Sequence, residues 1–265
     1  MPWYAGPMVE PKYGAMASIT EPKYVDEASP FDPATRSPFE PVPGDTSSGA
    51  LGKGTKVIFW LLAVTFFLAL TSIPAILVTL FLAPDPSNFP FFALALLPLG
   101  PAISAGLWAI RARYRSEDAG PTRAFWHGYR ANFLPALSVW VPALLILGII
   151  GYTLLFGSMI ELSQGYRAFL VAIGVLVLMA AMHALSLVTF FNFRFSDIWR
   201  LAAFQIWDSK VATLGLLAVA IIAFGLVWFV NEWLLVLLGG ILVYFWYWQV
   251  RPALKKTADR FTPSA

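Results

Sequence analysis

From residue 57 to residue 250 the chain is a succession of apolar blocks, most of them about 18 residues or longer and separated by short polar stretches. A block of that length crosses a hydrocarbon core about 30 Å thick as a helix. Six spans are predicted, at 57–83, 89–110, 135–156, 169–191, 211–230 and 233–250. The last two are almost continuous. As one helix they would reach about 60 Å at about 1.5 Å per residue, twice the core thickness, so Asn231 and Glu232 are read as a tight turn between two crossings. The pattern predicts an all-α integral membrane fold of six transmembrane helices in three hairpins, over residues 56–256, with a short cytoplasmic tail at 257–265.

Residues 1–55 break this pattern. They hold nine prolines, several acidic residues and few aliphatic ones, a composition that buries too little surface to offset the entropy of ordering. A disordered, proline-rich cytoplasmic tail is predicted. EPKY occurs twice in it, at 10–13 and 21–24, and SPFEPVPG at 37–44 offers a short polyproline II stretch; a docking motif and a plain tether both fit. A secretory signal would need a basic start running straight into an apolar core, so the first span is expected to act as its own insertion signal.

Lys and Arg set the orientation. Fourteen of them, from Lys53 to Arg260, fall on one side of the predicted topology and Arg167 alone on the other, which places both termini and the longer connections in the cytoplasm of a plasma (inner) membrane protein. In PLGPAISAGLWAIRARYR (98–115), Arg111 and Arg115 share one helical face and Arg113 points nearly opposite. The three do not converge on one anion, and anchoring at the membrane surface explains them better.

Two cytoplasmic connections are amphipathic elbows. In TRAFWHGYRANF (122–133), Phe125, Trp126, Tyr129 and Phe133 fall within about 100° of one another, with Arg123, His127 and Arg130 opposite, the signature of an interfacial helix whose apolar face sits in lipid. RFSDIWRLAAFQIWDSK (194–210) repeats the idea around Phe195, Ile198, Trp199 and Ile206, with Arg200 beside them and Phe204 and Trp207 off the stripe. Such elbows either dock a partner or carry the chain back into the bilayer. The candidate interface residues are Phe125, Trp126, Tyr129, Arg123, Arg130, Trp199 and Arg200.

Ionisable side chains within the membrane usually mark ion or proton paths, because their desolvation is costly. Here His183, in AAMHALS, is the one clearly at depth; a neutral imidazole bonded to a neighbouring hydroxyl or carbonyl is the plainer reading, and a proton relay the sharper one. Ala180 and Ala184 flank it at the spacing that lets helices approach closely. Pro74, Pro98, Pro101, Pro135 and Pro142 fit either packing kinks or broken helices lining a solute site. Glu161, Ser163, Gln164 and Arg167 form a small polar set in the external connection.

Composition narrows the chemistry. Of 265 residues 58% are hydrophobic and 12% charged, against about 25% charged in soluble domains. The net charge of +3 comes from basic residues beside apolar segments, so no nucleic-acid partner is expected. The absence of cysteine removes thiolate, disulfide and cysteine-based metal chemistry. Two histidines on different elements cannot form the HExxH zinc pattern, and no GxSxG, Walker or GxGxxG motif occurs. No enzyme, cofactor or metal site is expected.

GPAISAGLWAIRARYR, a short polar loop and RAFWHGYRANF together resemble the central pattern of the YesL-like family, bacterial membrane proteins whose common domain has no assigned function. FFNFRFSDIWRLAAFQIWDSKVATLGLL is similar to that family's later elbow and fifth span, and the resemblance covers roughly residues 57–255. The long N-terminal tail departs from it. The resemblance implies an accessory role in carbohydrate transport of the ABC type, with a sugar transporter as partner, and carries over no catalytic residues. No Glu-Ala-Ala loop of the kind that couples permeases to their ATPases is present. An independent carrier for a small uncharged solute such as a sugar is the alternative.

Overall fold

A computed structural model describes residues 50–83, 85–114, 120–156, 162–230 and 232–261. Nearly all of the predicted tail with its EPKY repeats, and Arg115, Glu161 and Asn231, lie outside the described residues. The described residues form α1 (Ala50–Thr71), α2 (Ile73–Phe81), a 3-10 turn (Pro86–Asn88), α3 (Phe89–Ala95), α4 (Leu99–Tyr114), α5 (Pro121–Phe156), α6 (Gln164–Phe190), α7 (Phe195–Asp208), α8 (Lys210–Phe229) and α9 (Glu232–Phe261). Six stretches are long and apolar enough to cross a membrane: Gly54–Thr71, Phe89–Tyr114, Pro121–Phe156, Gln164–Phe190, Lys210–Phe229 and Trp233–Arg260. The chain is a multi-pass, all-α membrane protein.

Two of the predicted spans are broken. The first gives way at Ser72, where ψ is 2°, because Pro74 in the opening turn of α2 has no N–H with which to continue the hydrogen-bond ladder of α1. Residues 96–98 part α3 from α4 in the same way ahead of Pro98 and Pro101. The Leu96 carbonyl left at this break accepts the Trp140 indole N–H at 2.9 Å. Pro135, Pro142 and Pro252 instead lie inside continuous helices, a tolerance membrane helices gain when neighbouring groups satisfy the freed carbonyls.

Two boundaries differ from the sequence pattern. The first elbow is not a separate element, since α5 runs unbroken from Pro121 to Phe156. The sixth span does not stop at Val250 but continues to Phe261, with Val250, Ala253, Leu254, Thr257 and Ala258 buried along one side. These residues recur every three or four positions, so the last turns of α9 keep an inward face beyond the apolar block.

α4 lies at the centre, packed by α1, α5, α6 and α9, while α9 also packs on α1 and α8 and so closes the bundle. Small residues allow this. Gly128 on α5 faces Trp108 of α4, where a Cβ would come within 2.7 Å of the Trp108 Cβ. Gly240 of α9 lies against Thr65 and the Leu61 carbonyl of α1, and its N–H also donates to Thr65 Oγ1 at 3.0 Å. Ser104 of α4 and Thr189 of α6 share a buried hydroxyl bond of 2.8 Å.

Arg123, Arg194, Lys210 and Lys256 mark one end of the bundle, its basic end. Arg111 corrects its reading as a surface anchor. Only 4% exposed, it lies with its guanidinium 5.0 Å from the Phe190 ring centroid. The reason is the central place of α4, around which α1, α5, α6 and α9 pack. At the opposite end Asp85 accepts the Ser87 hydroxyl at 2.6 Å and the Ser87 N–H at 2.9 Å, bonds that hold its carboxyl below the usual range.

Candidate functional site

The first predicted interface face points inward at Phe125 and partly so at Trp126 and Tyr129, while Phe133 remains exposed. Phe125 is fully buried, with its ring stacked on Phe67 of α1 at 5.3 Å, and Trp126 meets the same ring edge-on at 5.9 Å. Tyr129 is half-buried and stacks on Phe125 at 6.3 Å. Phe125 therefore leaves the list of lipid or partner contacts. An aromatic stripe on a helical wheel is equally well covered by a neighbouring helix, and Ala124 and Gly128 beside it leave room for α4 to approach. Arg123, His127 and Arg130 are exposed on the other side, where the wheel put them.

The second elbow, α7, divides differently from its predicted stripe. Ile198, Ala202 and Gln205 form its buried seam, and Trp199 is half-buried. Arg200 is exposed, as are Phe204 at 52% and Trp207 at 73%. The outward face of α7 is thus aromatic and basic. The end of α9 grips its last turn: Asp208 meets Lys256 at 3.6 Å and Arg260 at 3.4 Å, and Lys256 Nζ donates to the Asp208 carbonyl at 3.3 Å. Cations at that position also suit the negative end of the α7 dipole. The Arg260 guanidinium lies 5.6 Å from the Phe204 ring centroid.

The buried side of α7 enters a polar cluster drawn from four helices. His183 of α6 is fully buried, with Nδ1 3.1 Å from Gln205 Oε1 of α7 and Nε2 3.0 Å from Thr213 Oγ1 of α8. Gln205 Nε2 donates to Thr257 Oγ1 of α9 at 2.8 Å, and the Thr257 hydroxyl donates to the Ala253 carbonyl at 3.0 Å. With the amide nitrogen committed to Thr257, the amide oxygen faces His183, so Nδ1 carries the imidazole proton. The Ile206 and Ser209 carbonyls, 3.1 and 3.3 Å from Thr213 Oγ1, complete the surroundings. Both ring nitrogens are occupied by neutral groups, an arrangement suited to joining helices in a low-dielectric interior. Gln205, Thr213 and Thr257 were not singled out from the sequence; their signal was a polar residue within an otherwise apolar face, at a register only the fold reveals.

A third feature lies on the side of the bundle away from the basic end. A partly open chamber of about 400 Å³ is bounded by α1, α2, α4, α5, α6, α8 and α9, with Trp140, Trp233 and Trp246 among its walls. The lining is almost wholly apolar, interrupted by the hydroxyls of Ser72 and Thr79. Among the described residues no group of three or more His, Cys, Asp or Glu comes together as a metal site.

A family model described as "Protein of unknown function, DUF624" matches residues 54–154, which take in most of α1, all of α2 to α4 and nearly all of α5. The His183 cluster and α7 lie beyond the matched residues. No curated protein and no solved structure gives a match.

Proposed function

We propose that the protein is a non-enzymatic component of the plasma membrane, with its basic end and both termini in the cytoplasm, that docks a partner protein through the outward face of α7. The observation that carries this reading is the contrast between the two sides of that helix. Its inner side is fixed to α6 and α9 by Gln205 and Asp208, while its outer side presents Phe204, Trp207 and Arg200. Large aromatics with an arginine, exposed on an immobilised element, have the composition of binding hot spots, and their ordering cost is met before association. The basic end faces the cytoplasm on the strength of its Lys and Arg excess.

The resemblance to YesL-like proteins supports a finer reading, in which the partner is a carbohydrate transporter of the ABC type and this chain its accessory subunit. An independent sugar carrier has less support, because a sugar needs a partner for each hydroxyl and the chamber walls are apolar. Photo-crosslinking tests the docking. A photoreactive residue replacing Trp207 in native membranes is expected to give a discrete adduct with one protein, absent when it replaces lipid-facing Leu145. Adducts with lipid alone at both positions would overturn the reading.

A further inference from the structure

We propose that the chamber between α2 and α8 is a binding site for the hydrocarbon chain of a bilayer lipid. Protein interiors are packed to crystal-like density, with few voids larger than a water molecule, and a cavity of about 400 Å³ left empty would forfeit contact all along its walls. Water does not fill a space without hydrogen-bonding partners. Two of the tryptophans that line the chamber turn their polar atoms elsewhere: the Trp140 indole donates to the Leu96 carbonyl at 2.9 Å and the Trp246 indole to Ser186 Oγ at 2.9 Å. The Thr79 hydroxyl donates to the Ile76 carbonyl of its own helix at 2.8 Å. What remains facing the space is almost wholly ring, methyl and methylene surface, with Leu178, Met182 and Val243 on the inner side.

The position of the chamber selects the occupant. Toward the bilayer its wall is a single helix thick. α2 turns Ala75 and Ile76 to the chamber and Leu77 and Leu80 outward, and α8 turns Ala220 and Ala223 inward and Ile221 and Phe224 outward. The interior is thus continuous with the surface that the six crossings place in lipid. The break at Ser72 sets α2 off from α1 beside the opening. Residues 1–49 join α1 at Ala50, the other end of that helix from the chamber-lining Leu68, Ala69 and Ser72, and their charges and prolines suit no such space.

The test uses the full-length protein in lipid nanodiscs of phosphatidylethanolamine and phosphatidylglycerol that contain a phospholipid with a diazirine along its acyl chain. After irradiation, peptide mass spectrometry is expected to find adducts on Leu178 and Met182 inside the bundle as well as on outward residues such as Ile221 and Leu145. Ala223→Phe and, from the facing wall, Ala75→Phe put a ring into the space and are expected to abolish the inner adducts while the outward ones persist, the latter showing that the variant is folded. Adducts confined to outward residues in the unaltered protein would overturn the proposal, with no reliance on either variant. Inner adducts that persist unchanged in a variant with the normal outward pattern would overturn it equally. Docking at α7 is read by a different probe at the other end of the molecule, so either proposal can fail alone.

Discussion

Gln205 and Thr257, 52 residues apart in the chain, are joined by a buried hydrogen bond of 2.8 Å that ties the second elbow to the end of the last helix. The same amide meets His183 through its oxygen, so one side chain links α6, α7 and α9. This relationship determines which part of the protein stands as a rigid platform at the basic end.

Gln205→Leu is expected to destabilise the protein by about 1–2 kcal/mol. Hydrogen bonds between membrane helices average about 0.6 kcal/mol, and leaving a buried partner unsatisfied raises the cost toward 1–3 kcal/mol. Thr257→Val removes the same bond from the other side, so the double variant should lose less than the two single losses added together. Asp208→Asn, which disturbs two ion pairs to half-exposed cations, should cost less than about 1 kcal/mol. Equilibrium unfolding in mixed SDS micelles measures all four. Additive losses for Gln205 and Thr257 would mean that the bond is not a joint.

Opposite signs are expected at two glycines of α8 and α9. Gly240→Ala drives a methyl into Thr65 and the Leu61 carbonyl, which belong to a neighbouring helix, and should cost about 1–3 kcal/mol through overpacking. Gly225→Ala meets only Phe229, at 4.0 Å, and should be neutral or stabilising by up to about 1 kcal/mol from helix propensity. Thermal unfolding of both variants in one detergent checks the contrast.

Phe125→Ala should rank among the most damaging substitutions, at about 3–5 kcal/mol, because it empties a filled interior position stacked on Phe67. Leu134→Ala, nine residues along the same helix at 74% exposure, should cost far less. Comparable small losses for both would restore the lipid-facing elbow that the helical wheel suggests.

How much of this was written in the sequence depends on what the residues alone can encode. Six crossings are legible because the bilayer demands length and apolarity, both local properties. Turn positions at Pro74 and Pro98 follow from proline chemistry, yet Pro135, Pro142 and Pro252 show that the same residue leaves a helix intact when its surroundings supply partners. The inward turn of Phe125 was not legible, since lipid and a neighbouring helix offer an aromatic stripe the same solvent. His183 stood out as a polar residue at depth. Its partners did not: Gln205 lies on the predicted surface elbow, Thr213 near the start of an apolar span, and Thr257, which holds the Gln205 amide, in the predicted tail, so only the packing of α7 and the extension of α9 bring the cluster together.

The chain has no cysteine, so single cysteines report sidedness without background. With Ser87→Cys, Ser163→Cys and Ser196→Cys introduced one at a time, a membrane-impermeant maleimide added to intact cells is expected to label positions 87 and 163 and to reach 196 only after permeabilisation. Labelling of 196 together with 87 in intact cells would contradict the arrangement of six crossings with the basic end inside.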